Sequence, residues 1–350
     1  MSSTASTNVQ TQDHLRPVRI WLYLLAVLIL IMVAVGGATR LTDSGLSITE
    51  WKPISGIIPP LTMEDWQAEL EAYRQIPEYQ LINKGMSLEE FKFIFWWEWG
   101  HRFLGRMIGF AFAIPFVVFL FQRRLNWQLA PSLFVLFILG GFQGFLGWWM
   151  VSSGLTERVD VSQYRLATHL SAACILFLAI IWVVRRLRHV DPIWVEKGWR
   201  GLIWLFGALV FIQLIAGAFV AGMDAGLAYN TWPLMDGALI PQNIYTSSPA
   251  WLDAFEDVTT AQFNHRTLAY VIAAFAIFLV YRAWKNTQFA GVHGWMLIVG
   301  SLVFVQILLG IFTLIYVVPL GLALAHQITA FLLLGAIVAY LADMKAEIMR

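Results

Sequence analysis

The chain has 350 residues, 59% hydrophobic and 13% charged, with a mean hydropathy of +0.67. Soluble domains run at about 45–50% apolar and about 25% charged, so a soluble enzyme and a disordered scaffold are both excluded. A formal charge of +1 argues against a general electrostatic grip on nucleic acid. The single cysteine, Cys174, excludes an intramolecular disulfide, a thiolate zinc site and a C-x-x-C-H haem attachment.

Residues 1–19, rich in Ser, Thr and Gln, read as a short disordered tail without the Arg-rich pattern of a mitochondrial transit peptide. A membrane helix needs about 20 mostly apolar residues. Eight stretches qualify: roughly 20–37, 101–121, 131–151, 166–184, 201–222, 265–283, 295–316 and 321–341. The first lacks a small-residue cleavage site and so does not read as a signal peptide. Two long loops, 38–100 and 223–264, follow the first and fifth spans, and both are too patterned to be plain connectors.

Charge orients the spans. The tails and the loops 122–130, 185–200 and 284–294 hold twelve Lys/Arg, whereas the opposite loops, much longer in total, hold seven. By the positive-inside bias, both termini are cytoplasmic and the two long loops lie outside. Such a chain resides among membrane lipid, in a bacterial inner membrane in preference to a mitochondrial one. Homo-oligomerisation is compatible with the sequence.

The two halves resemble each other. Gly36, Asp43, Gly45, Leu46 and Trp51 recur at one constant offset as Gly217, Asp224, Gly226, Leu227 and Trp232. His101-Arg102 recurs as His265-Arg266, Gln143-x-x-x-Gly147 as Gln306-x-x-x-Gly310, and His169 as His326. The expected fold is therefore an all-α integral membrane protein of eight transmembrane helices, built as two tandem-duplicated four-helix bundles in parallel orientation. The bundles span 20–184 and 201–341, joined by a cytoplasmic linker at 185–200 and followed by a tail at 342–350.

Of seven histidines, His14, His189 and His293 fall in the tail or inner loops and read as solvated. The other four fall at the outer ends of even-numbered spans, His101 and His265 opening theirs, His169 and His326 in first turns. Ionisable groups at membrane depth are costly and mark function by default. Two neutral imidazoles facing across a bundle suit axial ligation of a haem iron, whereas zinc would want three or four N/S ligands. Arg102 and Arg266 adjoin the first histidine of each pair, as Arg106 and Arg165 lie near the same level. The repeated His-Arg dipeptide favours pairing of Arg102 and Arg266 with haem propionates over lipid phosphate. Gln143, Gln213 and Gln306 hydrogen-bond across helices or line the pockets. The halves differ at one chemical position: Glu98 precedes His101 by three residues, and Gln262 precedes His265 by three. A carboxylate beside one pair and an amide beside the other points to one reactive site and one electron-transfer site.

The segments GGATRLTDSGLSITEWKPISGIIPP (36–60), EWGHRFLGR (98–106), GFQGFLGWWMVSSGL (141–155), YRLATHL (164–170), NTWPLMDG (230–237), QFNHRTLAY (262–270) and AHQITA (325–330) strongly resemble the haem A synthase family. The resemblance runs from about residue 20 to 341. It implies an enzyme that oxidises the C8 methyl of haem O to the formyl of haem A through an alcohol and its hydrate. It also implies that His101 and His169 face the substrate haem O, that His265 and His326 ligate a permanent haem b, and that Glu98 matches the family's catalytic glutamate. Haem O synthase is the partner it implies. The chain resembles the subgroup without an outer-loop cysteine pair. A dihaem b-type cytochrome fed by quinol would use the same four histidines but gives no reason for Glu98 to differ from Gln262. A transporter on a duplicated bundle would place polar residues near mid-membrane.

Overall fold

A computed structural model describes residues 4–188, 191–285 and 291–347, and in it each apolar run is the centre of a longer helix. In chain order the elements are α1 (Thr4–Leu41), α2 (Met63–Tyr73), α3 (Pro77–Leu81), α4 (Leu88–Phe121), α5 (Leu129–Val151), α6 (Gln163–Arg186), β1 (Ile193–Glu196), α7 (Lys197–Gly222), α8 (Asp253–Glu256), α9 (Val258–Lys285), α10 (Val292–Ile315), α11 (Leu320–Asp343) and β2 (Met344–Glu347). Eight of them (α1, α4 to α7 and α9 to α11) are long and apolar enough to cross a bilayer. The protein is an all-α, multi-pass membrane protein. Large apolar side chains such as Ile114, Phe121, Ile277 and Phe304 are exposed on the outer faces of these helices, as a lipid-facing surface requires.

Two expectations are corrected. The helix carrying His101 begins at Leu88, where Ser87 and Glu90 form a capping box; hydropathy misses this start because the first turns carry charge. The tail, read as disordered up to residue 19, is helical from Thr4, because an adjoining span has already nucleated the helix and extension adds one hydrogen bond per residue. Within the linker, β1 pairs in parallel with β2, bringing 193–196 against the segment after α11. His189 lies outside the described residues.

The helices of the first half pack in the ring order α4, α1, α6, α5 and back to α4, and those of the second half in the order α9, α7, α11, α10 and back to α9. Each half thus places its two histidine-bearing helices on a diagonal, where they share no packed seam. The halves meet through α6 against α7 and α11, and α1 against α11. One apolar core runs through both, with Cys174, Phe177 and Phe331 at the seam and Gly335 of α11 letting the Phe177 ring approach its backbone.

The loop between α1 and α4 is folded, not slack. Trp66, Leu70 and Tyr73 of α2 pack on Phe91, Ile94 and Phe95 of α4 in a second apolar cluster that caps the first bundle. Inside it, Tyr73 donates to Glu78 Oε2 at 3.0 Å, and Asn83 donates to Tyr73 Oη at 2.8 Å. Arg40, at the end of α1, reaches Asp43 at 3.0 Å, Asp224 at 2.8 Å and Asp160 at 3.7 Å. It thereby ties together two corresponding turns, in which Asp43 and Asp224 both adopt left-handed backbone, φ 46° and 51°.

Burial, opposed by the Tyr73 hydrogen bond and reinforced by Asp160, Asp43 and Glu98, pushes Glu78 up to about 8 from an ordinary 4.5. Between those values the folded cap holds a proton that the unfolded chain has released, so its stability falls as pH rises through that window and levels off above it. Protection factors of the α2 and α3 amides, their exchange rates compared with an unstructured peptide at the same pH, should therefore fall between pH 5 and 8, roughly the window between the two values, and Glu78→Gln should flatten that fall.

Candidate functional site in two histidine pairs

None of the four histidines opens its helix. His101 stands thirteen residues beyond Leu88, His265 seven beyond Val258, His169 six beyond Gln163 and His326 six beyond Leu320, which is about two to four turns in. All four point into a bundle, where they remain half-buried. Among the described residues no group of three or more His, Cys, Asp or Glu is placed to hold a metal ion.

Each imidazole lies against a glycine on a neighbouring helix. A Cβ built on Gly36 would fall 2.8 Å from His101 Cε1; the values are 3.1 Å for Gly147 and His169, 3.0 Å for Gly217 and His265, and 2.8 Å for Gly310 and His326. Histidines occupy one diagonal of each ring and their glycines, on α1 and α5 or α7 and α10, the other. Only a residue without a side chain leaves the ring room to turn inward.

The glutamines stand beside the same rings. Gln143 Nε2 lies 3.1 Å from His169 Nδ1 and donates to the His169 carbonyl at 2.8 Å. Gln213 repeats this at His265, at 3.1 and 2.9 Å. At His326, Nδ1 lies 3.1 Å from the Gln306 carbonyl. The amide oxygens of all three glutamines are buried without a partner, as is His101 Nδ1. Unsatisfied polar atoms beside the inward-facing imidazoles, with bare backbone behind each ring, fit a site that takes a flat, two-ligand group. A haem meets that description.

The asymmetry at Glu98 is built into the backbone. Glu98, 3% exposed, accepts at Oε2 from Ser47 Oγ and the Ile48 amide, both at 2.7 Å, and at Oε1 from Arg102 at 2.6 and 3.1 Å. Ten residues into α4, it is not a first-turn carboxylate serving the helix dipole. Gln262, 2% exposed, reverses the polarity: it donates to the Ala225 and Tyr229 carbonyls at 2.7 and 3.3 Å and accepts from Arg266 at 3.0 Å. Sequence reasoning misses Ser47, yet the repeat carries the signal, since its counterpart at the same offset is Ala228.

Both arginines turn toward the loops. Arg102 Nη2 donates to the Ile48 carbonyl at 2.9 Å, and Arg266 Nη2 to the corresponding Tyr229 carbonyl at 2.7 Å. They therefore staple the loop after each D-x-G-L turn to the helix. Arg165 donates to the Trp149 carbonyl at 2.6 Å and Arg106 to the Pro53 carbonyl at 2.9 Å. Arg266 Nε and Arg106 Nη1 keep a buried, unused N–H.

Fold and site define a class: an eight-helix membrane protein with a pair of inward-facing histidines in each half. Residues 19–338 match the family model described as cytochrome oxidase assembly protein, COX15-CtaA, and the chain belongs to that family. It is 52% identical over 318 residues to the heme A synthase of Parvibaculum lavamentivorans, covering 91% of each chain. Identity to the heme A synthase of Chelativorans sp. is 52% over 324 residues, 92% of this chain and 90% of the relative. For that of Azorhizobium caulinodans it is 50% over 330 residues, 94% of each.

The glycine cradles are testable. Gly310→Ala sets a methyl against the His326 ring and should cost about 1–3 kcal/mol, as overpacking does. In a thermal melt in detergent, Gly144→Ala, where a Cβ meets nothing within 4 Å, should leave Tm unchanged or raised.

Proposed function

We propose that this chain is a haem A synthase that oxidises the C8 methyl of haem O to a formyl group. The observation that carries the reading is the pair of matching histidine sites that differ at Glu98 and Gln262. His265 and His326 hold haem b; His101 and His169 face haem O. An iron porphyrin supplies the oxidising chemistry that side chains lack, and the protein positions and tunes it. Propionates would draw on the unused N–H groups of Arg106 and Arg266, while Arg102 and Arg266 keep the outer loops seated over the two sites.

Glu98 stands near the reacting side. Each of its oxygens already accepts two hydrogen bonds. That arrangement fixes the carboxylate in place, where it stabilises positive charge developing on the methyl carbon. Gln262 carries no charge, which suits a site that only passes electrons. The protein resides in a bacterial inner membrane with both termini cytoplasmic, and haem O synthase supplies its substrate.

Pigment extracted from cells expressing the protein with and without a haem O supply tests the reading. Haem A should form only with haem O present; haem b alone under both conditions would overturn it. Glu98→Gln should retain haem yet lose about 10²–10³-fold in turnover, the scale of removing one preorganised electrostatic group. Ser47→Ala, which withdraws one hydrogen bond from that carboxylate, should cost about tenfold.

A further inference from the structure

Three of the four histidines have a glutamine beside them and the fourth has none. Gln143 serves His169, Gln213 serves His265 and Gln306 meets His326. His101 Nδ1 is buried without a hydrogen-bond partner. The reason lies on α1. Gln213 stands one turn before Gly217, on which His265 rests, and the same position before Gly36 is Met32. Met32 fills the corresponding place: its methyl lies 3.4 Å from where a Cβ on Gly105 would be, one turn beyond His101 on α4. A thioether donates no hydrogen bond and accepts only weakly, on a flexible stem. The His101 ring therefore packs on Gly36 with nothing to set its plane or tautomer.

We propose that Met32 and Gln213 are positioning residues that decide which bundle keeps its porphyrin: Gln213 locks His265 as a permanent ligand, and Met32 leaves His101 able to turn aside. This rests on the assignment of haem O to the first bundle and haem b to the second. Partners that orient a ligating histidine change affinity by about 10–100-fold when removed. An enzyme that must release its porphyrin product needs one side of the site to be weak, whereas a resident haem needs both sides held. Gln143 behind His169 keeps the porphyrin located while the His101 side opens. The repeat makes the contrast sharp, since the two positions are otherwise equivalent.

Full-length protein, purified from cells that make haem O, is challenged with excess apomyoglobin, and the pigment left behind is extracted. Haem O plus haem A reports the first bundle, and haem b the second. The wild type should lose haem O and haem A faster than haem b. Met32→Gln should slow that loss by about 10–100-fold, while Met32→Leu, which changes shape without adding an amide, should behave as the wild type. Gln213→Met should speed the loss of haem b by a similar factor. Release from Met32→Gln and Gln213→Met at wild-type rates would overturn the proposal. If instead His101→Ala depleted haem b, or His265→Ala depleted haem O and haem A, the assignment of the bundles would fall, and the proposal with it.

Discussion

An imidazole that faces the inside of a helix bundle needs a neighbouring helix with no side chain at the point of contact. That requirement organises this protein. In each half the histidines sit on diagonal helices, which share no packed seam, and the helices between them present Gly36 and Gly147, or Gly217 and Gly310, to the rings. A bundle packed for stability alone would fill that space, because dense packing and dispersion contacts favour it. Here the glycines leave each ring room to lie against bare helix backbone. The remaining helix contacts, above all α6 with α7 and α11, supply the apolar core that keeps the two open frames rigid.

The loops complete these frames. Arg102 and Arg266 each reach a corresponding carbonyl in the turn that follows their D-x-G-L motif, so the loop and the histidine helix move as one piece. Arg40 then clamps the two turns to each other through Asp43 and Asp224. On this near-symmetric scaffold a few positions differ between the halves. Glu98 with Ser47 sets a buried carboxyl group on one side, and Gln262 with Ala228 a buried amide on the other. Met32 against Gln213 is a further break in the same register.

Much of this is legible in residue order alone. Hydropathy locates all eight spans, because a bilayer core demands about 20 apolar residues whatever the tertiary packing. The repeat offset singles out His101, His169, His265 and His326, and isolates Glu98 as the point of difference. Helix starts are misplaced by sixteen residues at α1 and thirteen at α4, since polar, capped or charged first turns register as loop in a hydropathy window. The pairing of β1 with β2 joins the linker to the segment after the last span and leaves no local pattern to read.

The arginines mark the boundary between the two kinds of information. Their recurrence is visible, but their loop partners are not, since a carbonyl acceptor leaves no signature in residue type. By itself the sequence determined the solvent and the number of spans, and it singled out four histidines by their recurrence, all of which follow from composition and spacing along one chain. Only the tertiary structure decided that the histidines lie on diagonals against glycine backbone, that Glu98 is saturated by Ser47, Ile48 and Arg102, and that His101 alone of the four lacks an amide. Those facts depend on which helices are neighbours, and neighbourhood is settled by packing across the whole bundle.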